Sequence, residues 1–208
     1  MSRCIIIAPL YEGEERDWLT PEEGDLLLCA DGGFDAARRF GLEPRLVIGD
    51  FDSSAGEAPA CEVIRLPVHK DDTDMVACLR EARNRGYRSF RIAGCLGGRL
   101  DHTIANLQCL YDCALRGEDA WMCDGTNRVT VLLPGEHVIP ADRSRKISLL
   151  AFTPEVTGVC LTGTLWPLED AVLTQRFPLG VSNEFVEEQA VVRFEAGALL
   201  LMLCRDAL

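Results

Sequence analysis

An α/β domain with a mostly parallel sheet, followed by an all-β sandwich or barrel domain, is the fold class predicted by this sequence of 208 residues. Two observations carry the prediction. From the start to about Asp124, short Leu-rich or β-branched runs alternate with helical patterns, as expected of a parallel sheet covered by helices. Beyond about Gly125 the helical period vanishes, and short apolar runs follow one another between Pro, Gly and Asn turns. The predicted domains are therefore 1–125 and 126–208.

In the first domain the strands are RCIIIAP, DLLLCAD, RLVIGD, EVIRLP, SFRIAG and AWMCD. A helix follows KDDTD. Met75, Leu79 and Ala82 recur at helical spacing, Asp72 or Thr73 can cap its start, and Gly86 can close its end. A second helix follows GGRLD, with Asp101 or Thr103 as cap, Ile104, Leu107, Tyr111 and Ala114 on one face, and Gly117 past its last turn. A shorter helix, FDAARRF, fits between the second and third strands. The second domain reads as the runs RVTVLL, HVIP, KISLLAF, GVCLTG, AVVRFE and ALLLML. No internal repeat or long linker interrupts the chain.

Composition narrows the function. Hydrophobic residues at 48% and charged residues at 26% are those of a folded globular protein and leave no disordered tract. A formal net charge of -12 disfavours a nucleic-acid partner. Ten cysteines are scattered without a CxxC pair, mostly inside apolar runs, and read as reduced core residues. The longest apolar run, ALLLMLC, is too short for a bilayer, so the expectation is a soluble, cytoplasmic protein with no membrane partner.

The chemistry concentrates after the strands. In an open α/β sheet, ligands gather outside the carboxyl ends of the strands. Asp31 follows the second strand, Asp50 and Asp52 the third, the KDDTD cluster (Lys70, Asp71, Asp72, Thr73, Asp74) the fourth, and GGRLD, with Arg99 and Asp101, the fifth. Crowded carboxylates either bind a cation or shift their pKa values. Hard ions such as Mg²⁺ take carboxylate oxygens and complete their shell with waters and phosphates, so a magnesium-nucleotide site is the economical reading. Gly32 and Gly33 would let the backbone pass close to a ligand. Gly94, Gly97 and Gly98 could offer N–H groups to phosphate, with Arg99 adding a positive fork.

Each residue has a plainer reading. Asp52-Ser53 alone is a turn, and Asp72, Thr73 and Asp101 are ordinary helix caps. His102 reads as solvent-facing, and His69 and His137 are weak candidates for a base. The coincidence of four loops at one sheet edge favours a site. DFDSS also resembles the DxDx[T/V] start of haloacid-dehalogenase-like phosphatases, in which the first Asp is a nucleophile. Ser54, however, stands where Thr or Val is expected, and two strands precede the motif. A non-enzymatic sensor that binds a nucleotide or another small molecule and does no chemistry is a third alternative. The P-loop pattern GxxxxGK[ST] is absent.

ADGG at 30–33, GDFDS at 49–53, KDDTD at 70–74 and GGRLDHTIANL at 97–107 occur in an order and spacing that resemble the thiamine pyrophosphokinases. LTGTLWPL and VSNEF in the second half are similar to that family's thiamine-binding domain, so the resemblance spans nearly the whole chain. It implies ATP-dependent transfer of a pyrophosphoryl group to the hydroxyl of thiamine, giving thiamine diphosphate and AMP. It further implies a homodimer with shared active sites, each thiamine site being completed by the β domain of the other subunit. By motif, Asp50, Asp52 and Asp74 are the implied magnesium ligands, Thr73 and Arg99 contact phosphate, and Asp31 and Asp101 belong to the active-site shell. Lys70, Asp71, Gly97 and Gly98 fall in the nucleotide-binding motifs. Trp166 and the Ser182-Asn183 pair are the implied thiamine-binding elements; without the family they read as a sandwich residue and a turn. Thr164 departs from the family pattern, in which a Lys is usual two residues before the aromatic.

Overall fold

In the computed structural model, which describes residues 2–49, 60–67 and 72–206, the first of two units, Met1–Gly125, is built on six parallel strands. These are β1 (Cys4–Ile7), β2 (Leu26–Ala30), β3 (Leu46–Gly49), β4 (Glu62–Arg65), β5 (Ser89–Ala93) and β6 (Asp119–Cys123), in the order β6-β5-β1-β2-β3-β4. Every residue of β1, β2 and β3 is buried, which is why these strands are continuous apolar runs with no alternation. β4 at the edge is only half-buried and carries charge at both ends, Glu62 and Arg65.

The helices are α1 (Arg16–Leu19), α2 (Gly33–Arg39), α3 (Asp74–Asn84) and α4 (Leu100–Leu115). Thr73 caps α3, its hydroxyl accepting from the Val76 N–H at 3.3 Å. Three helices end alike. Past α2, α3 and α4, Gly41, Gly86 and Gly117 take left-handed φ of 72°, 93° and 70°. In each case the glycine N–H and the next N–H return to the last-turn carbonyls, as Gly86 does to Arg83 and Tyr87 to Ala82. Met75, Leu79 and Ala82 of α3 are buried as their spacing predicts. On α4 the buried stripe is Asn106, Cys109, Leu110 and Cys113, whereas Ile104 is 50% exposed. The predicted face is the neighbouring stripe. Apart from Asn106 both stripes are apolar, so periodicity alone does not choose between them.

The second unit, Thr126–Leu208, contains β7 (Asn127–Leu132), β8 (Gly135–Pro140), β9 (Lys146–Ala151), β10 (Glu155–Thr162), β11 (Leu168–Thr174), β12 (Gly180–Asn183), β13 (Gln189–Phe194) and β14 (Leu199–Cys204). They pair antiparallel as β12-β9-β14-β7 and as β11-β10-β13-β8. The all-β expectation holds, the eight strands pairing antiparallel in two sets of four. All ten cysteines are free. Burial pushes the Cys4 thiol up to about 12, which suppresses the reactive thiolate.

Candidate active site

The strand order of the first unit reverses at β1, from which the chain proceeds through β2, β3 and β4 on one side and β5 and β6 on the other. A crevice forms at such a reversal because successive connections leave in opposite directions. A cavity of ≈ 490 Å³ lies there, lined by Pro9 and Leu10 after β1, Asp31 after β2, Thr73 and Asp74 at the start of α3, and Gly97, Gly98 and Arg99 after β5. His102 and Asn106 of α4 complete one wall. Six predicted residues from three of the four motifs, Asp31, Thr73, Asp74, Gly97, Gly98 and Arg99, thus meet at one opening. Asp50, Asp52, Lys70 and Asp71 lie outside the described residues.

Local geometry explains several of these placements. Asp31 adopts φ 43°, a left-handed conformation tolerated best by Gly, Asn and Asp. Its N–H donates to the Ile48 carbonyl at 2.7 Å, binding the end of β2 to β3. Gly49 makes this approach feasible, since a Cβ there would sit 2.8 Å from the Asp31 Cα. At Gly33 a Cβ would fall 2.1 Å from the Ile7 carbonyl oxygen, so this glycine answers to the packing of α2 on β1. Gly32 precedes α2 with its Cβ position facing the Pro9 ring at 3.6 Å.

Arg99 and Asp101 form a two-point ion pair, Nε to Oδ1 at 3.1 Å and Nη2 to Oδ2 at 2.5 Å. The Arg99 hydrogen bond holds the Asp101 carboxyl below its usual value, and the pair in turn raises Arg99. Both side chains are largely exposed, 73% and 64%, so the pair is screened and open to exchange with another anion. Neither Asp101 nor Thr103 caps α4. Arg99 occupies the cap position without a side-chain bond, the Asp101 carboxylate accepts from the His102 N–H, and the Thr103 hydroxyl turns back to the Gly97 carbonyl.

A larger groove, ≈ 700 Å³, runs between α3 and α4. Its charges neutralise one another: Arg80 pairs with Asp72, Arg83 with Asp112 and Glu118, and Arg116 with Asp112. Asp72 is thereby turned to the groove, which separates it from Asp74 on the cavity side. No group of three His, Cys, Asp or Glu side chains among the described residues converges as a complete metal site.

Residues 20–122 match the family model of the thiamin pyrophosphokinase catalytic domain, and residues 136–199 that of the thiamin pyrophosphokinase vitamin B1 binding domain. The chain is 29% identical over 205 residues to the thiamine pyrophosphokinase of Bacillus subtilis (strain 168), covering 94% of this chain and 91% of that protein. The chain belongs to the thiamine pyrophosphokinase family. The crystal structure of the Bacillus subtilis thiamine pyrophosphokinase superposes with a TM-score of 0.88 at 28% identity, covering 100% of both chains. That of the Geobacillus thermodenitrificans thiamin pyrophosphokinase gives 0.86 at 27%, covering 100% of this chain and 99% of the other. The fold extends to thiamin pyrophosphokinase from Candida albicans, with a TM-score of 0.82 at 14% identity over 99% of this chain and 89% of that one.

The segment matched to the family's vitamin B1 binding domain contains the remaining predicted residues. Trp166 is 57% exposed on the loop between β10 and β11. Asn183, at the end of β12, is buried and makes four hydrogen bonds. Its Oδ1 accepts from the N–H groups of Trp166 at 3.0 Å and Glu184 at 2.9 Å, and its Nδ2 donates to the Trp166 carbonyl at 2.6 Å and the Thr164 hydroxyl at 3.2 Å. Asn183 therefore holds the Trp166 loop. Ser182 is exposed at φ 61°, and its N–H donates to the Ser148 hydroxyl at 2.9 Å. Pro9, Leu10 and Asn106 line the first unit's cavity without being predicted. The two apolar residues carry no chemical signal, and Asn106 falls mid-helix, where a polar residue reads as solvent-facing.

Proposed function

We propose that the loops around the first unit's cavity bind ATP and that this chain uses them for the reaction of its family, transfer of the pyrophosphoryl group of ATP to the hydroxyl of thiamine. Thiamine pyrophosphokinases are transferases, and they release thiamine diphosphate and AMP. A bond forms between the hydroxyl oxygen and the β-phosphorus of ATP while the bond from that phosphorus to the oxygen bridging the α-phosphate breaks. Such a transfer is catalysed mainly by positioning and charge stabilisation. The observation that carries the reading is the meeting of Asp31, Thr73, Asp74 and the 97–99 loop at the sheet's reversal point, inside the segment matched to the catalytic domain.

Asp31 and Asp74 bring carboxylate oxygens and Thr73 a hydroxyl to this cavity, donors that fit a hard divalent ion. We assign Asp50, Asp52 and Asp74 as the residues that would hold Mg²⁺, which when bound screens the phosphate charge. Arg99 exchanges its Asp101 partner for a phosphate oxygen, a bidentate partner of the same geometry. Thr73 and the amides of Gly97 and Gly98 supply further donors. In the second unit, Trp166 offers an exposed indole for the thiamine pyrimidine, with Ser182 and Asn183 supporting it. The same reading makes the protein a homodimer, Trp166 of one chain serving the acidic cluster of the other.

The test is incubation with ATP, Mg²⁺ and thiamine, with AMP and thiamine diphosphate expected in equal amounts. Release of inorganic phosphate without AMP would favour the phosphatase alternative instead.

A further inference from the structure

The loop joining β5 to α4 has a polarity that its glycines do not by themselves impose. Three of its carbonyls are held. The Gly94 oxygen accepts from the Leu10 N–H at 3.0 Å, the Cys95 oxygen from Asn106 Nδ2 at 2.7 Å, and the Gly97 oxygen from the Thr103 hydroxyl at 3.0 Å. Its amides are not held in the same way. Among the described residues, no backbone acceptor is paired with the N–H groups of Leu96, Gly97 or Gly98. Gly97 and Gly98 are consecutive left-handed residues, φ 84° and 64°, at the mouth of the cavity. Runs of such amides favour anions, provided that the intervening carbonyl oxygens face elsewhere.

Thr103 and Asn106 are three residues apart on α4 and so share one face of it, the face toward this loop. We infer that Thr103 and Asn106 are positioning residues for the phosphate-binding loop, drawing the carbonyls of Gly97 and Cys95 toward α4 so that the loop presents amides, not lone pairs, to an anion. Neither residue touches the substrate in this role. The inference rests on the reading of the 97–99 loop as the phosphate cradle.

The roles differ in how they are tested. Thr103 is half-exposed, so Thr103→Val removes the hydroxyl at nearly constant shape with little risk to folding, and Thr103→Ser restores it. Asn106 is 9% exposed and its Cys95 bond is buried, so Asn106→Ala is the stronger perturbation and the riskier one. Calorimetric titration with MgATP, in the absence of thiamine, should show Thr103→Val and Asn106→Ala weakened on the order of tenfold, the equivalent of one hydrogen bond, with Thr103→Ser within about twofold of wild type. In turnover, the KM for ATP should rise with that for thiamine unchanged. Wild-type affinity for MgATP in folded Thr103→Val would overturn the inference, as would equal rises in both KM values. A wild type that binds MgATP but forms no thiamine diphosphate would refute the proposed function while the binding series still decides the role of Thr103 and Asn106. A wild type that binds no MgATP overturns both.

Discussion

Replacing Asn183 with Ala should free the loop that carries Trp166. Four hydrogen bonds end on the Asn183 amide, two donated and two accepted, and the residue is 7% exposed. At about 1 kcal/mol net for each bond, the upper bound is about 4 kcal/mol. Trp166 is exposed, so water regains part of its N–H and carbonyl, and the expected loss is about 2–3 kcal/mol. Urea unfolding followed by Trp166 fluorescence, with Trp18 and Trp121 changed to Phe, measures this directly. Acrylamide should quench Trp166 more strongly in the variant even before unfolding. If Trp166 serves thiamine, the KM for thiamine should rise about tenfold with the KM for ATP unaltered. Asn183→Asp sharpens the argument, because it keeps an acceptor for the Trp166 N–H but sets a carboxylate oxygen against the Trp166 carbonyl. Its deficit should shrink in acid, where the protonated carboxyl can again donate. A loss below about 0.5 kcal/mol in Asn183→Ala with unchanged quenching would show that the loop holds itself and would refute the clamp.

Three further outcomes are expected. Asp52→Asn should lower kcat by about 100-fold or more with partial recovery at high Mg²⁺, and full activity at ordinary Mg²⁺ would remove Asp52 from the metal set. Arg99→Lys keeps the charge but loses the planar fork, so kcat/KM for ATP should fall by about tenfold, and an unchanged value would mean that phosphate binding rests on the loop amides alone. Burial alone would raise the Asp25 carboxyl, yet the Arg3 amide and guanidinium and the Glu22 amide hold it below its ordinary value. A carboxyl depressed on folding adds stability that is complete above its unfolded pKa and is lost as pH falls through the folded one. Wild type should therefore lose stability below about pH 4 more steeply than Asp25→Asn, and parallel pH profiles would contradict this.

What the sequence could show depended on how chemistry is distributed along it. β1, β2 and β3 are legible because burial on both faces demands unbroken apolar runs. β11 and β12 are not, since LEDAVLT has a single buried residue and GVSN has only four residues, so neither forms an apolar run. α1 is a single turn, too short for any periodicity. At the site, Asp31, Thr73, Asp74 and the glycine loop are legible because acidic and glycine-rich loops recur after successive strands at one sheet edge, a coincidence that no single loop supplies. Asn106 and Asn183 are not legible in their observed work, because a side chain that holds a backbone carbonyl leaves no pattern in residue type.

The deeper gap concerns the β1 loop. Four loops could be placed at the carboxyl edge of the sheet from their own residues, but edge position alone does not say which of them face one another. That follows from the order β6-β5-β1-β2-β3-β4, which sets β5 against β1 and brings the Gly-rich loop beside Pro9 and Leu10. The bond from the Leu10 N–H to the Gly94 carbonyl joins the two. Ala-Pro-Leu has no titratable group, so its place in the cavity wall is a consequence of topology alone. The strand with the least chemistry in its loop thus determines where the crevice opens, while the residues with the most chemistry determine what it can bind.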